Sequence, residues 1–210
     1  MAPSRRGTTR YEAGVRSEEI RRNLAAFARR AAAPGARRAA VALCVLGCDT
    51  DDPRLLIVKR VARGRNAGQW ALPGGRAEPG ETAVEAAVRE LEEETGAAGG
   101  DVAGLLDDFV TDSGFCITPV VVLAADGTRP RRAPAEVASL HAVPLAALLA
   151  GGVPRWREQP GAPPLLQMKL RHDMVIHPPT GALLYQFREV ALLGRTTRVA
   201  DLAQPEWTRR

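Results

Sequence analysis

A cluster of glutamates between Gly75 and Gly96 has the residue types and spacing that chemistry at a metal ion requires. The segment is GRAEPGETAVEAAVRELEEETG, in which Glu90, Glu93 and Glu94 stand at i, i+3 and i+4. On a helix this spacing gathers three carboxylates on one stripe, where they repel one another. A cation is therefore expected among them. Oxygen ligands that leave room for water suit Mg²⁺ or Mn²⁺, ions that also bridge phosphate oxygens.

The same segment contains signals for a helix with defined ends. Thr82 followed by Glu85 is a capping box that predicts a helix from Ala83, and Gly96 fits the residue after its last turn. Arg89 is four residues from both Glu85 and Glu93, so it is expected to pair with one of them. The helical period predicts a buried apolar stripe formed by Val84, Ala87, Val88 and Leu91.

Taken alone, the glutamates also fit an ordinary exposed acidic helix face, and the glycine-rich entry loop distinguishes the two interpretations. The segment resembles the box of the Nudix family, Gly-x5-Glu-x7-Arg-Glu-U-x-Glu-Glu-x-Gly-U, where U is a bulky aliphatic residue. Ala97 is smaller than the usual last residue, and a chance match is on the order of one in a million. The matching residues are Gly75, Glu81, Arg89, Glu90, Leu91, Glu93, Glu94 and Gly96.

The resemblance implies Mg²⁺- or Mn²⁺-dependent hydrolysis of a nucleoside diphosphate linked to another moiety. Glu93 and Glu94 would be metal ligands, and Glu90 would be a further ligand or the base that activates water. Arg89 would orient the glutamates, and Glu81 would be an outer-shell or second-metal group. The metal site implied in this way consists of the Gly75 carbonyl, Glu81, Glu90, Glu93 and Glu94.

The residues before the box are similar to a motif of the Nudix coenzyme A diphosphatases. Arg60, Arg65 and Gly68 have the order of that motif, although the last two are one residue too close and Leu72 replaces its phenylalanine. A basic segment here is suited to hold a 3′-phosphate or a diphosphate, or it is a solvated loop. Phe115 is a better candidate than Trp70 for stacking on a base. Arg60, Arg65 and Phe115 are thus the predicted substrate-binding residues.

Three functions follow as expectations. Hydrolysis of coenzyme A or an acyl derivative is favoured, and a nucleoside triphosphate or an ADP-ribose-like substrate is the alternative with the same chemistry. A module that senses a nucleotide without cleaving it is the alternative from another class, and a full set of glutamates argues against it. Glu136 is either a distal base or metal ligand or a surface acid, and the histidines are given no role.

The remaining pattern predicts an α/β fold, an α/β/α sandwich with a mixed sheet and an added N-terminal helix. Helical spacing begins at Ser17 and ends before Pro34, and β-strands are expected at 39–46, 55–58, 70–72, 102–110 and 116–124. A short helix is expected at 144–149. The proposed division is a mobile arm (1–16), the N-terminal helix (17–36), the catalytic domain (37–195) and a C-terminal tail (196–210).

Composition excludes several classes of protein. The 210 residues carry a net charge of +5, but aromatic residues make up only 4% of the chain, which argues against nucleic-acid binding as the main function. No apolar run reaches the roughly 20 residues that a bilayer requires, so a cytoplasmic protein without a membrane role is expected. The three cysteines fit small core residues better than a metal or redox site. A small nucleotide-like substrate is the expected partner, and homodimerisation is a further expectation.

Overall fold

The computed structural model describes residues 16–62 and 67–205 and has a mixed α/β architecture. Its helices are α1 (Ser17–Ala26), α2 (Ala83–Thr95), α3 (Leu145–Leu149) and α4 (Thr180–Phe187), the last continuing as a π-helical stretch at Arg188–Leu192. Its strands are β1 (Arg37–Leu46), β2 (Arg54–Arg60), β3 (Trp70–Ala71), β4 (Gly74–Arg76), β5 (Asp101–Leu105), β6 (Phe109–Val110), β7 (Phe115–Leu123), β8 (Val137–Pro144), β9 (Arg155–Gln159), β10 (Ala162–Lys169) and β11 (Val175–Ile176).

A mixed sheet forms the centre of the molecule. Its strand order is β3-β2-β1-β7-β5, with β8 also paired to β2, β4 to β1, and β6 to β7. Strands β1 and β7 run parallel from the pair Arg37 and Phe115 to the pair Val45 and Leu123, whereas the other pairings are antiparallel. A separate three-stranded sheet has the order β11-β10-β9. The mixed sheet confirms the predicted fold class.

The two faces of the sheet pack against different helices because side chains alternate along β1. Ala40, Ala42 and Cys44 point towards α2, where they meet Leu91. Leu43 and its same-face neighbours contribute to a larger core with α1, α4 and the segment after β9. All three cysteines are buried and free, as expected for core residues. The result is a layered fold in which α2 covers one face and the other described helices pack on the opposite side.

Strand β4 lies just after the strand expected at 70–72, at a position where none was predicted. Gly74 to Arg76 pairs with β1, and the backbones come so close that a Cβ on Gly74 would lie 2.4 Å from the Ala40 carbonyl oxygen. Only glycine allows this approach, and the φ of 155° at Gly74 also favours glycine. The pairing fixes the entrance to α2 against the centre of the sheet.

The structure differs from the predicted helix end and from one predicted strand, and both differences involve Asp107 and Asp108. The N-terminal helix ends at Ala26 rather than before Pro34, since the N–H groups of Arg30 and Ala32 donate to the carboxylates of Asp107 and Asp108. The predicted strand 102–110 is interrupted between β5 and β6 at these aspartates. Their side chains thus bind the chain that follows α1 in place of helical hydrogen bonds.

The proposed domain limits remain predictions, and most of the N-terminal arm lies outside the described residues. Part of the proposed C-terminal tail is packed, since Val199 is buried and Arg198 donates two hydrogen bonds to Asp107. Within residues 16–62 and 67–205, no helix has both the length and the hydrophobicity needed to cross a membrane.

Candidate active site

The ends of α2 are determined by the local signals seen in the sequence. The Thr82 hydroxyl accepts a hydrogen bond from the Glu85 N–H at 3.2 Å, and the Glu85 carboxylate accepts one from the Thr82 N–H at 2.8 Å. Gly96 ends the helix with a φ of 65°. The predicted capping box and both helix limits are therefore confirmed.

The buried face of α2 is rotated from the predicted one. Ala87 and Leu91 are buried as expected, whereas Val84 and Val88 are only partly buried. The residues that complete the buried face are Ala83, Ala86, Glu94 and Thr95. The sheet therefore covers a carboxylate, and the apolar residues on the opposite flank are left half-exposed.

Arg89 is the centre of the glutamate cluster. Its guanidinium donates two hydrogen bonds to Glu81, at 2.9 and 3.1 Å, and one each to Glu90 and Glu93, both at 3.0 Å. The hydrogen bonds from Arg89, followed by that from the Glu78 N–H, lower the pKa of Glu81. Of the two predicted partners, Glu93 pairs with Arg89, while Glu85 is used in the cap. Both Glu81 oxygens are thus already engaged within the protein.

Glu94 is the buried carboxylate of the site. Its side chain is 4% exposed, its Oε1 lies 3.9 Å from Nη1 of Arg60, and its Oε2 has no hydrogen-bond partner among the described residues. Burial raises the pKa of Glu94 to about 7, with the charges of Glu90 and Glu136 acting in the same direction. The Arg60 charge and the Gly74 N–H oppose this rise without cancelling it.

Gly75 lies directly against Glu90. A Cβ at this position would come within 2.2 Å of Glu90 Oε1 and 2.5 Å of its carboxyl carbon. Because Gly75 pairs with Ala40 of β1, the sheet fixes this backbone in place. The absence of a side chain therefore allows the Glu90 carboxylate to lie beside the Gly75 backbone.

These residues fit a divalent cation. No three His, Cys, Asp or Glu side chains in the described ranges enclose a metal position as they stand, and Arg89 occupies the space among Glu81, Glu90 and Glu93. However, Glu94 keeps a buried oxygen without a partner, which is costly unless a cation or donor reaches it. Carboxylate oxygens are the ligands that Mg²⁺ and Mn²⁺ prefer.

A cavity of about 400 Å³ borders the glutamate cluster on the other face of the sheet. It shares Arg60, Gly74 and Gly75 with that cluster, while none of the box glutamates lines its wall. Strand β11 and the segment after it close the far side, with Val175, Ile176, His177, Pro178, Pro179, Thr180 and Leu183. A ligand in this cavity therefore reaches the glutamates at the Arg60 and Gly75 end.

The structure brings only some of the predicted substrate-binding residues to this cavity. Arg60 and Phe115 line it, whereas Arg65 lies outside the described residues. Trp70, the less favoured stacking candidate, packs against the core and also lines the cavity. Glu136 is exposed but close enough for its charge to affect Glu94.

The sequence did not point to the wall that follows β10. His177 lines the cavity, although its spacing to the other histidines gave it no role. Burial, followed by the charge of Arg157, lowers the pKa of His177, which favours the neutral ring. The only signal in this part of the sequence was its apolar composition, which does not specify what it contacts.

The glutamates of the capped helix α2 thus lie beside a cavity large enough for a small ligand. The model of the NUDIX domain matches residues 36–167 of the chain. The protein therefore belongs to the Nudix family, whose members are hydrolases that act on small nucleotide-like substrates and generally use divalent metal ions. Residues 168–205, with most of the far cavity wall, lie beyond the matched region.

The comparisons with individual proteins agree with this family. The chain is 40% identical over 98 residues to an uncharacterized Nudix hydrolase NudL of Yersinia enterocolitica, covering 45% of this chain and 50% of that protein. It is 39% identical over 117 residues to the NudL of Photorhabdus laumondii, covering 54% and 62%. The matches thus span about half of the length of these relatives.

The solved structures support the fold. A NUDIX hydrolase from Nitrosomonas europaea aligns with a TM-score of 0.51 at 18% identity, over 79% of this chain and 77% of that one. The Nudix hydrolase RenU of M. smegmatis aligns with a TM-score of 0.50 at 22% identity, over 78% and 91%. At these identities the likeness concerns the fold alone.

Proposed function

We propose that this protein is a Mg²⁺-dependent diphosphatase, with Mn²⁺ as the alternative ion, and that coenzyme A or an acyl derivative is its substrate. The observation that supports the reaction most strongly is Glu94, a buried carboxylate with one unpartnered oxygen next to Glu90. A structural glutamate in that position would be costly without compensation. Binding of a cation during function explains why the Glu94 carboxylate is buried at this position.

Each residue of the site has its own proposed role. Glu93 and Glu94 would hold the cation together with the Gly75 carbonyl, and Glu90 would be a further ligand or accept the proton of the attacking water. Arg89 keeps Glu90 and Glu93 in place through its hydrogen bonds. A bound divalent cation supplies polarisation of the phosphoryl oxygen and lowers the pKa of water.

Two observations favour coenzyme A over other substrates with the same linkage. The first is the order of Arg60, Gly68 and Pro73-Gly74-Gly75, which resembles the coenzyme A subgroup, with Arg60 facing the cavity. The second is the cavity wall, which includes no acidic side chain among the described residues and is largely apolar towards Val175, Pro178 and Leu183. Such a wall suits the long uncharged arm of coenzyme A.

Mass-spectrometric product analysis tests the proposal. The purified protein is incubated with Mg²⁺ and a mixture of coenzyme A, ADP-ribose, NADH and deoxynucleoside triphosphates, with a Glu93→Gln variant as the control. Adenosine 3′,5′-bisphosphate together with 4′-phosphopantetheine is the expected result. A nucleoside monophosphate released from another member of the mixture would support the diphosphatase reaction but contradict coenzyme A as the substrate. If no product forms, the nucleotide-sensing alternative gains support.

A further inference from the structure

Two arginines from neighbouring strands meet over the ring of Phe115. The guanidinium carbon of Arg37 lies 4.1 Å from the ring centre, and that of Arg76 lies 5.3 Å from it. The strand registers bring them there, since Arg37 pairs with Phe115 across β1 and β7, and Arg76 pairs with Ala39 across β4 and β1. The cluster of Arg37, Arg76 and Phe115 is thus built on the central sheet.

These two guanidinium groups differ from the other arginines of the site in their partners. Arg60 is paired with Glu94 and Arg89 with three glutamates. Across residues 16–62 and 67–205, no carboxylate lies within 4.0 Å of Arg37 or Arg76, and both side chains are exposed. Arg37 also donates a hydrogen bond to the Ser113 carbonyl oxygen at 2.5 Å. Positive charge that no carboxylate of the described residues pairs with therefore accumulates beside Phe115.

The cluster adjoins the cavity rather than a remote surface. Phe115 lines the cavity together with Thr111, Ser113 and Gln204, and Gly75, next to Arg76 in the chain, lines it as well. The side chain of Asp112, in the same turn, accepts a hydrogen bond from Gln204. An anionic group of a bound ligand at this end would meet two guanidinium groups and neutral hydroxyls.

We propose that Arg37 and Arg76 bind a phosphate monoester of the substrate that is not part of the cleaved diphosphate. This inference rests on the proposed function, and for coenzyme A the group is the 3′-phosphate. Guanidinium groups bind phosphate through paired, charge-assisted hydrogen bonds. The two arginines thereby select coenzyme A over its 3′-dephospho form.

Kinetic discrimination between the two substrates tests this role. The values of kcat/KM for coenzyme A and 3′-dephospho-coenzyme A are measured for the wild type, Arg37→Gln and Arg76→Gln, with Arg22→Gln as an exposed control. Each site variant should lose about 10-fold with coenzyme A and stay within about 2-fold with the dephospho form. Arg76→Lys should retain part of the preference because it keeps the charge. Equal losses with both substrates would overturn the inference.

A binding measurement separates this inference from the proposed reaction. Calorimetry without added metal compares adenosine 3′,5′-bisphosphate with AMP for the wild type and Arg76→Gln. Tighter binding of the bisphosphate by the wild type, lost in the variant, supports the phosphate site even if coenzyme A is not hydrolysed. Equal affinity for the two nucleotides overturns it, even if coenzyme A is a substrate.

Discussion

The Oε1 atom of Glu94 lies 3.9 Å from Nη1 of Arg60, while its Oε2 is buried and no described residue donates a hydrogen bond to it. A single guanidinium at that distance does not compensate for the loss of water around a carboxylate. The two residues come from β2 and α2, and the sheet holds them together. Arg60 therefore does not fully compensate the negative charge of Glu94. This uncompensated charge is the basis of the proposed metal site.

The metal-free protein should lose stability as the pH rises. The pKa of Glu94 is raised by burial to about 7 from an ordinary value of 4.5, so the fold favours the protonated form. Its contribution is complete below about pH 4.5 and disappears as the pH passes through about 7, a change on the order of 3 kcal/mol. Urea unfolding in EDTA between pH 5 and pH 8 measures this decrease in the free energy of unfolding.

The Glu94→Gln variant is the control for this pH dependence. The amide is neutral throughout, so the variant should be less sensitive to pH and more stable than the wild type at pH 8. Parallel pH profiles for the two proteins would show that Glu94 is ionised at little cost, which contradicts the account of its burial.

Replacing Gly75 with alanine should impair activity more than stability. The added Cβ would displace the Glu90 carboxylate, whose Oε1 lies 2.2 Å from its position. A shift of about 1 Å in a reacting group can cost about 100-fold in rate. Gly151→Ala is the matched control, because nothing lies within 4 Å of its Cβ position. A wild-type kcat in Gly75→Ala would contradict the role given to the contact between Gly75 and Glu90.

Removing Arg89 should destabilise the box as well as reduce activity. The Arg89→Ala variant leaves Glu81, Glu90 and Glu93 without their common partner, so we expect a loss of about 2 kcal/mol in the free energy of unfolding. Urea unfolding measures this, with Arg22→Ala as the control, since within the described residues Arg22 has only an exposed pairing with Glu19 at 4.0 Å. Equal stability of the two variants would contradict the central position of Arg89.

Substitution of Phe115 should weaken substrate binding without preventing the chemical step. Loss of a stacking ring costs about 1–3 kcal/mol, so Phe115→Ala should raise KM by about 10-fold and leave kcat within about 3-fold. The control is Trp156→Ala, an aromatic residue that is 45% exposed and outside the cavity wall. A fall in kcat at constant KM would instead place Phe115 in the chemistry.

The parts predictable from sequence are those determined by local signals. The limits of α2 follow from Thr82, Glu85 and Gly96, which act within a few residues of one another. The position of Glu94 in the buried face was not predictable, because it depends on how the sheet packs against the helix. The pair of Arg60 and Glu94 joins residues far apart in sequence, so spacing gave no sign of it.

The strands outside the box were harder to infer for a related reason. Strand β8 has no clean alternation and owes its conformation to pairing with β2. Val175–Ile176 forms a strand by pairing with β10, and the segment after it becomes a wall of the cavity. Such contacts depend on tertiary structure, so the apolar composition of this region does not determine them.

The most direct test of the central claim is the Mg²⁺ dependence of diphosphate hydrolysis by the wild type and Glu94→Gln, with products identified by mass spectrometry. We expect cleavage by the wild type only when Mg²⁺ or Mn²⁺ is present, and a loss of at least about 100-fold in Glu94→Gln. Undiminished cleavage by the variant, or cleavage by the wild type in EDTA, would contradict it.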